Sequence, residues 1–413
     1  MIVKQYIKDF EKLGFGMFVH FGLYSEIGEG EWIMELGPYT REEYYSRFNT
    51  FCPASDWAEK LVSTAKAAGC KYITLTTRHH DGFSLYDTCG LNDLDAPHSS
   101  AGRDLVREFV DACNAQGLTP FFYHTLLDWY MPSYNENFKD YLVYLRKSVE
   151  ILCKNYGKIG GIWFDGMWNK PGEDWEEDAL YSTIRSYQPE AMIINNTGLD
   201  ARGSLGHIEL DSVTFERGRP GKINMEDSPK YIASEMCQTL GGVWGYSSRE
   251  FHIKSLPELI EDLCVCRRFG SNFLLNVGPM PSGYLRPIDD AMLRTLGEWV
   301  DIQNEAIYLP RPSGIEIEGE SRAKDFILKG EDAYYLFYHG LVMSGDANVV
   351  IASDRKSLIE DRFEMEKTVT SMKWLDDGTD VDFEQKDGKV IVSPGSYRYG
   401  TDLVVRIAKI ETK

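Results

Sequence analysis

The stretch GGIWFDG, residues 160–166, indicates how this chain is built. Its apolar run ends in one carboxylate, Asp165, directly before a glycine, which is typical of a β-strand that carries a side chain to its carboxyl end. Period-two alternation places Trp163 and Asp165 on one face of this strand and Ile162 and Phe164 on the other. An isolated Asp-Gly is also a common helix cap, so the neighbouring strands must decide between a structural and a chemical role for Asp165.

Seven further short β-rich runs accompany this stretch, and amphipathic helical segments separate them. The eight candidate strands are FGMFVHFG (15–22), KYITLTTR (71–78), LTPFFYHT (118–125), GGIWFDG (160–166), AMIINNT (191–197), LDSVTFE (210–216), GGVWGYS (241–247) and SNFLLNVG (271–278). The clearest helical segments cover residues 56–69, 102–117, 137–157 and 288–308. Strand and helix alternating eight times predict a (β/α)₈ TIM-like barrel over residues 1–309.

The pattern changes after LPRPSG, residues 309–314, where the prolines mark a boundary. Short alternating strands without long helices between them follow: AYYLFYHG (333–340), NVVIAS (348–353), KVIVSPG (389–395) and DLVVRIAKI (402–410). This pattern predicts a small C-terminal antiparallel β-sandwich domain over residues 310–413.

Composition narrows the classes of function. The 413 residues carry 44 Lys plus Arg against 64 Asp plus Glu, and a net charge of −20 argues against binding nucleic acid or an anionic membrane. Neither a run of about 18 apolar residues nor a secretory signal is present, so we expect a cytoplasmic protein without a membrane span. The eight cysteines form no C-x-x-C pair, which favours free thiols, and the sequence leaves a homo-oligomer open.

Barrel enzymes assemble their sites at the C-terminal ends of the strands, where this chain places histidines, carboxylates and aromatic rings. The candidates there are His20, Glu31, Trp32, His79, His80, Asp81, Tyr123, His124, Asp128, Trp129, Trp163, Asp165, Trp168, Glu216, Trp244 and Tyr246. A carboxylate between indoles suits a sugar, and the other groups suit a pocket that binds many hydroxyls. His79 and His80 are an alternative metal pair, but no ligand spacing such as H-x-H or H-E-x-x-H supports a metal.

Cleavage of a glycosidic bond requires a second carboxyl group besides Asp165. The candidates that follow it are Glu209, Asp211, Glu216, Glu226 and Glu235. Glu209 precedes the strand LDSVTFE and belongs at the closed end of the barrel, whereas Glu216 ends that strand on the same rim as Asp165. We therefore expect Asp165 to act as nucleophile and Glu216 as acid/base. A nearby Arg217 or Arg219 would oppose this by favouring the charged form of Glu216.

The ordered motifs of residues of about 10 to 310 resemble the α-L-fucosidases of glycoside hydrolase family 29: FGMFVHFG, GEW, KYITLTTRHHDGFSLYDT, FYHTLLDW, WFDG, DxxTxE, WGY and NFLLNVGP. The resemblance implies a (β/α)₈-like barrel followed by a β-sandwich, without metal or cofactor. It implies that Asp165 is the nucleophile that forms a covalent fucosyl intermediate and that Glu216 is the acid/base, as in one branch of the family. The fucose-binding residues of the family project onto His20, Glu31, Trp32, His79, His80, Tyr123, Trp163 and Trp244.

The sequence thus predicts a retaining exo-α-L-fucosidase acting on fucosylated oligosaccharides or glycoconjugates. One branch of the family carries an arginine after the fifth strand, where this chain reads Asn195-Asn196-Thr197, and that fucose contact is therefore open. A glycosidase for a related sugar such as galactose, a carbohydrate-binding protein without turnover, and a metal-dependent hydrolase are the alternatives.

Overall fold

The computed structural model describes residues 2–197, 199, 202–223, 225, 228–319, 323–343 and 360–413. The chain divides into two compact units. The first extends to Lys254 and includes Ser271–Arg294, and the second consists of Ser255–Gly270 and Thr295–Lys413. The predicted domain boundary at residues 309 and 310 stays a prediction.

The first unit contains a closed barrel of eight parallel strands, which pair in chain order and close between the first and the eighth. The strands are β1 (Phe15–Val19), β2 (Tyr72–Arg78), β3 (Thr119–Thr125), β4 (Gly161–Asp165), β5 (Met192–Asn195), β6 (Ser212–Glu216), β7 (Ala233–Thr239) and β8 (Asn272–Val277). The predicted TIM-like barrel is confirmed.

The helices of the described residues include the four predicted long segments. They are α1 (Gln5–Leu13), α2 (Tyr24–Ile27), α3 (Ile33–Leu36), α4 (Arg41–Tyr45), α5 (Trp57–Ala67), α6 (Leu105–Gln116), α7 (Ser133–Glu136), α8 (Phe138–Asn155), α9 (Glu177–Tyr187), α10 (Leu256–Arg268), α11 (Pro287–Ile302) and α12 (Asn304–Ile307). Short 3₁₀ helices cover Ser46–Asn49, Ala96–His98 and Met167–Asn169. In the part of the chain that the structure describes, no helix has both the length and the apolar character needed to cross a membrane.

The seventh strand differs from its prediction. GGVWGYS, residues 241–247, was expected to form it, but β7 is the preceding segment ASEMCQT, and GGVWGYS is a loop on the rim. This segment lacks apolar alternation because its central Glu235 points into the barrel, where partners from two other strands satisfy it. The apolar pattern therefore could not indicate this strand.

Aromatic side chains fill the barrel interior, beginning at the end where α1 packs against the strands. Phe10 of α1 packs against Tyr72 and Phe121, with ring centroids 5.6 and 5.7 Å apart. The buried cluster consists of two residues of α1, Ile7 and Phe10, and of strand residues: Phe18, Tyr72, Phe121, Tyr123, Trp163, Met192, Ile194, Ala233, Cys237 and Leu274. This packing fills the end of the barrel next to α1, so a ligand is expected at the carboxyl ends of the strands.

The carboxyl group of Glu235 lies within this aromatic interior. Tyr72 Oη donates a hydrogen bond to Oε2 of Glu235, and Trp163 Nε1 donates to Oε1 at 3.0 Å. Burial raises the pKa of Glu235 to about 7. The hydrogen bond to this carboxyl group holds the indole of Trp163 in its orientation.

Replacement of Glu235 by glutamine is expected to flatten the pH dependence of stability. Since the pKa of Glu235 is raised in the folded state, the stabilisation that this group gives is complete below its unfolded pKa and is lost as pH rises through about 7. The loss in the wild type is on the order of 3 kcal/mol between pH 5 and 8. Urea unfolding at both pH values measures it, with Glu209→Gln as an exposed control. Parallel profiles of wild type and Glu235→Gln would contradict the expectation.

The C-terminal strands form two antiparallel sheets. They are β9 (Arg311–Pro312), β10 (Phe326–Lys329), β11 (Ala333–His339), β12 (Asp361–Glu364), β13 (Val369–Trp374), β14 (Asp382–Lys386), β15 (Lys389–Ser393) and β16 (Val405–Thr412). The sheet orders are β13-β16-β11-β10-β9 and β12-β15-β14, and side chains of both sheets share one core. The predicted antiparallel C-terminal sheets are confirmed, and the predicted strand NVVIAS lies outside the described residues.

Candidate active site

A cavity of about 190 Å³ opens at the carboxyl ends of the barrel strands. Its lining consists of Phe18, His20, Glu31, Trp32, His79, His80, Tyr123, Trp163, Asp165, Trp168, Leu199, Glu216 and Trp244. All ten residues assigned above as catalytic or fucose-binding are among them. Trp168, another of the strand-end candidates, also lines the cavity, whereas Phe18 and Leu199 were not nominated. The lining does not include the other candidates, which are Asp81, His124, Asp128, Trp129 and Tyr246.

The backbone around Asp165 is held by the next loop. The carbonyl of Asp165 accepts a hydrogen bond from the amide of Leu126 at 2.7 Å, and Gly166 follows with φ of 100°. A Cβ atom on Gly166 would lie 2.8 Å from the backbone nitrogen of Leu127. Only glycine allows both this φ and this close approach, so the turn orients the end of β4.

The carboxylate of Asp165 receives several hydrogen bonds. Trp168 Nε1 and Asn196 Nδ2 each donate to Oδ1 at 3.3 Å, and Tyr123 Oη donates to Oδ2 at 3.2 Å. The backbone amide of Gly166 is a further donor. Burial raises the pKa of Asp165, and these donors oppose that effect because they stabilise the ionised form.

Glu216 lies beside Asp165 and shares a donor with it. Asn196 Nδ2 donates to Oε2 of Glu216 at 2.6 Å, besides its bond of 3.3 Å to Asp165. The two carboxyl oxygens can therefore lie no more than about 6 Å apart. Burial, followed by the negative charge of Asp165, raises the pKa of Glu216 to about 6. One carboxyl group is thus favoured in its protonated form next to another that is held by hydrogen-bond donors.

Arg217, which was expected to oppose this arrangement, turns towards the loop after β7. Its Nη2 donates to the carbonyl of Gly242 at 2.9 Å, and its guanidinium lies 5.2 Å from the ring centre of Trp244. Its charge lowers the pKa of Glu216, but burial and Asp165 outweigh this effect.

His79 and His80 both line the cavity because β2 ends at Arg78. His80 Nδ1 donates to Thr125 Oγ1 at 2.7 Å, since that hydroxyl donates its own proton to the carbonyl of Leu127. Nε2 of His80 is therefore the acceptor nitrogen of the neutral ring, 3.6 Å from Oδ2 of Asp165. Burial lowers the pKa of His80 to about 3, so the ring is neutral.

The ring of His20 is oriented by a similar hydrogen bond. Asn276 Nδ2 donates to the carbonyl of Trp244 at 2.7 Å, so Oδ1 of Asn276 faces His20 Nδ1 at 2.6 Å and accepts its proton. Burial lowers the pKa of His20 to about 3 and that of His79 well below its usual value. The histidines thus provide neutral hydrogen-bonding groups. Among the described residues, no group of three or more His, Cys, Asp or Glu side chains is arranged to hold a metal ion.

Glu31 explains how the loop after β7 reaches the cavity. Its Oε2 accepts hydrogen bonds from the backbone amides of Trp244 at 3.0 Å and Gly245 at 2.7 Å. Burial raises the pKa of Glu31. The hydrogen bonds to Glu31 hold this loop in place, so Trp244 lines the cavity although its segment is not a strand.

Three indoles surround the mouth of the cavity. The rings of Trp32 and Trp168 stack with centroids 5.9 Å apart, and Trp129 packs edge-on against Trp32 at 5.1 Å. Trp168 is 36% exposed, whereas Trp163 is 2% exposed and lies at the base. Trp163 can thus present only a small part of its ring to a ligand.

The remaining carboxyl candidates that the structure describes do not line the cavity. Glu209 is exposed before β6, and Asp211 pairs with Lys230 at 2.8 Å and with Arg185 at 2.5 Å. Glu226 lies outside the described residues. Sequence reasoning missed the role of Asn196, although its place directly after the fifth strand was the available signal.

The chain is similar to several known proteins. The family model described as "Alpha-L-fucosidase" matches residues 3–305. A tissue alpha-L-fucosidase of Macaca fascicularis is 29% identical over 364 residues, which cover 80% of this chain and 75% of the relative. The solved structure of alpha-L-fucosidase isoenzyme 1 from Paenibacillus thiaminolyticus superposes with a TM-score of 0.82 at 28% identity and covers 99% of both chains. A GH29 alpha-L-fucosidase from Bacteroides thetaiotaomicron, solved as a trapped covalent intermediate with 2-fluoro-fucosyl fluoride, has a TM-score of 0.81 at 21% identity and covers 99% of this chain and 96% of its own. At that identity it shows the fold alone.

Proposed function

The chain belongs to the alpha-L-fucosidase family, and from this membership we propose that it is a retaining exo-α-L-fucosidase that hydrolyses terminal α-L-fucose from fucosylated glycans. Asp165 is the nucleophile and Glu216 the acid/base of a double displacement. The observation that carries the proposal is the pair of carboxyl groups held by one amide, Asn196, at the base of a single cavity.

In the first step, the Asp165 carboxylate attacks the anomeric carbon while the bond to the leaving oxygen breaks. Glu216 gives its proton to that oxygen, so the alcohol leaves neutral. In the second step, Glu216 removes a proton from water, whose oxygen attacks the anomeric carbon and breaks the ester to Asp165. Fucose departs with its original anomeric configuration, and both carboxyl groups return to their starting states.

The separation of the carboxyl pair favours this route. Retaining enzymes hold their two carboxyl groups about 5 to 5.5 Å apart, whereas inverting enzymes need about 6.5 to 9.5 Å to admit a water molecule. The limit of about 6 Å between the oxygens of Asp165 and Glu216 agrees with the shorter range. A trapped covalent intermediate is also described for the Bacteroides relative.

The lining suits one neutral sugar ring. None of the described residues that line the cavity is Lys or Arg, and burial keeps the histidines uncharged, which disfavours an anionic ligand. The volume of about 190 Å³ is below the roughly 300 to 1,000 Å³ of pockets for drug-sized ligands, as expected for a terminal monosaccharide. His20 and His80 present acceptor nitrogens to hydroxyls, and the rings of Phe18 and Trp244 provide an apolar wall for the C5 methyl group.

Release of nitrophenol from 4-nitrophenyl α-L-fucoside tests the proposal, with the α- and β-galactosides in parallel. We expect turnover of the fucoside alone, with α-L-fucose as the first product by NMR. Preference for a galactoside would assign another sugar, and β-L-fucose as the first product would contradict retention. An enzyme restricted to branched glycans would be silent on the aryl fucoside, so a fucosylated oligosaccharide is the second substrate, and silence on both would contradict the proposal.

A further inference from the structure

The side chain of Asn196 is hydrogen-bonded to both carboxyl groups of the proposed reaction and is not itself a reacting group. It follows β5 directly and is 2% exposed. Its Nδ2 donates to Oδ1 of Asp165 and Oε2 of Glu216, and its Oδ1 accepts a hydrogen bond from Thr214 Oγ1 at 2.9 Å. All polar atoms of this side chain thus have partners.

The orientation of this amide is dictated by its neighbours. Carboxylate oxygens accept hydrogen bonds, so the nitrogen, which carries two protons, must face Asp165 and Glu216. The amide oxygen then needs a donor, which the hydroxyl of Thr214 supplies. Thr214 and Glu216 are two residues apart on β6 and share one face of that strand. A reversed amide would place its oxygen against the carboxyl oxygens with no proton between them.

We propose that Asn196 is a positioning residue that keeps the reactive proton of Glu216 on Oε1 and holds that carboxyl group beside Asp165. In a protonated carboxyl group, the carbonyl oxygen is the better acceptor, and here Oε2 receives the bond of 2.6 Å from Asn196. The proton is therefore on Oε1. Oε1 then donates to the leaving oxygen and later receives a proton from water, while Oε2 keeps its bond to Asn196. The inference rests on the proposed roles of Asp165 and Glu216.

Loss of the amide has a defined effect on the pH profile. An N–H donor favours the charged form of a carboxyl group, so its removal should raise the pKa of Asp165 and of Glu216, and both limbs of the profile should move to higher pH. The other titratable and charged groups that face this pair remain in place in the variant: His80, Tyr123, Arg202, Arg217 and Cys237.

The test compares Asn196→Ala with Thr214→Val, which removes only the hydroxyl that orients the amide. Asn195→Ala is the matched control, because Asn195 Nδ2 donates to Tyr181 Oη at 3.0 Å and contacts neither carboxyl group. The pH profile of kcat/KM is recorded for 4-nitrophenyl α-L-fucoside and for a fucosylated disaccharide, whose leaving group requires the acid. Thermal unfolding of each variant accompanies the kinetics.

For Asn196→Ala we expect both limbs of the pH profile to shift to higher pH by about half to one unit. We expect kcat/KM to be lower by about 10-fold on the aryl fucoside and about 100-fold on the disaccharide. Thr214→Val should shift the limbs in the same direction by less, and Asn195→Ala should lower thermal stability without shifting them. Unshifted limbs and an equal loss on both substrates would overturn the inference and leave Asn196 as a packing residue. If Asn196→Ala does not fold, an unshifted profile in Thr214→Val would overturn it. Failure of the proposed function is distinct, because wild type would then lack turnover or Asp165→Ala would retain it.

Discussion

Replacement of Asp165 by alanine is expected to lower kcat on 4-nitrophenyl α-L-fucoside by about 10⁴-fold or more. The variant loses the oxygen that forms the ester, and the neighbours that donate to it, Tyr123, Trp168 and Asn196, carry no carboxylate. The lining that binds the sugar remains, so fucose should still bind. Stopped assays for kcat and calorimetry for the Kd of fucose measure the two effects separately.

Azide rescue of Asp165→Ala tests the role of this residue through the configuration of the product. A small anion can occupy the space vacated in Asp165→Ala and attack the anomeric carbon from the same side, so the product should be β-L-fucosyl azide, inverted relative to the substrate. The stereochemistry by NMR therefore identifies the missing group as the nucleophile.

A helix-capping aspartate outside the cavity lining provides the control for Asp165. Asp104 accepts a hydrogen bond from the amide of Arg107 at 2.9 Å at the start of α6 and another from Tyr156 Oη at 2.6 Å. Asp104→Ala should therefore cost about 2 kcal/mol of stability and leave kcat unchanged. If Asp165→Ala behaved like Asp104→Ala, with stability lowered and turnover kept, the nucleophile would be another residue.

The barrel and its rim were predictable because their signals are local in sequence. The strand ending at Asp165 and the polar residues at the neighbouring strand ends each reveal themselves within a few residues, and parallel strands bring such ends to one rim. The residues around His79 and His80 illustrate this reasoning. The predicted strand KYITLTTR (71–78) ends at Arg78, as β2 does, and both rings that follow it line the cavity.

What the sequence could not indicate depends on contacts between distant strands. Glu235 makes β7 look like a loop, because its partners Tyr72 and Trp163 lie 163 and 72 residues away along the chain. The role of Asn196 is likewise a matter of where three strand ends meet, and the sequence presented it only as a departure from a family motif. Polar groups inside a barrel form hydrogen bonds with residues of other strands. The hydrophobic pattern along a single strand therefore cannot predict these groups or their partners.

Replacement of Glu216 by alanine is expected to produce a loss that depends on the leaving group. Without the proton donor, a substrate with a poor leaving group, such as a fucosylated disaccharide, should lose about 10³- to 10⁴-fold in kcat/KM. An aryl fucoside should lose much less in its first step, because nitrophenolate leaves without protonation. Since Glu216 must be protonated and its pKa is raised to about 6, wild-type kcat/KM should fall as pH rises through about 6, and this limb should vanish in Glu216→Ala. Initial rates on both substrates across pH 4 to 9 measure these effects.

Azide distinguishes Glu216 from Asp165 by the configuration of its product. In Glu216→Ala the fucosyl ester of Asp165 still forms, and azide, which needs no general base, attacks it from the opposite side to give α-L-fucosyl azide with retained configuration. Glu209→Ala, at an exposed position before the start of β6, is the matched control and should leave kcat/KM and its pH profile unchanged. An equal loss on both leaving groups, with the limb near pH 6 intact, would place the acid/base on another residue. Asp165 and Glu216 lie side by side because both bind the amide of Asn196. An alternative acid/base would therefore have to reach the leaving oxygen from a position outside this carboxyl pair.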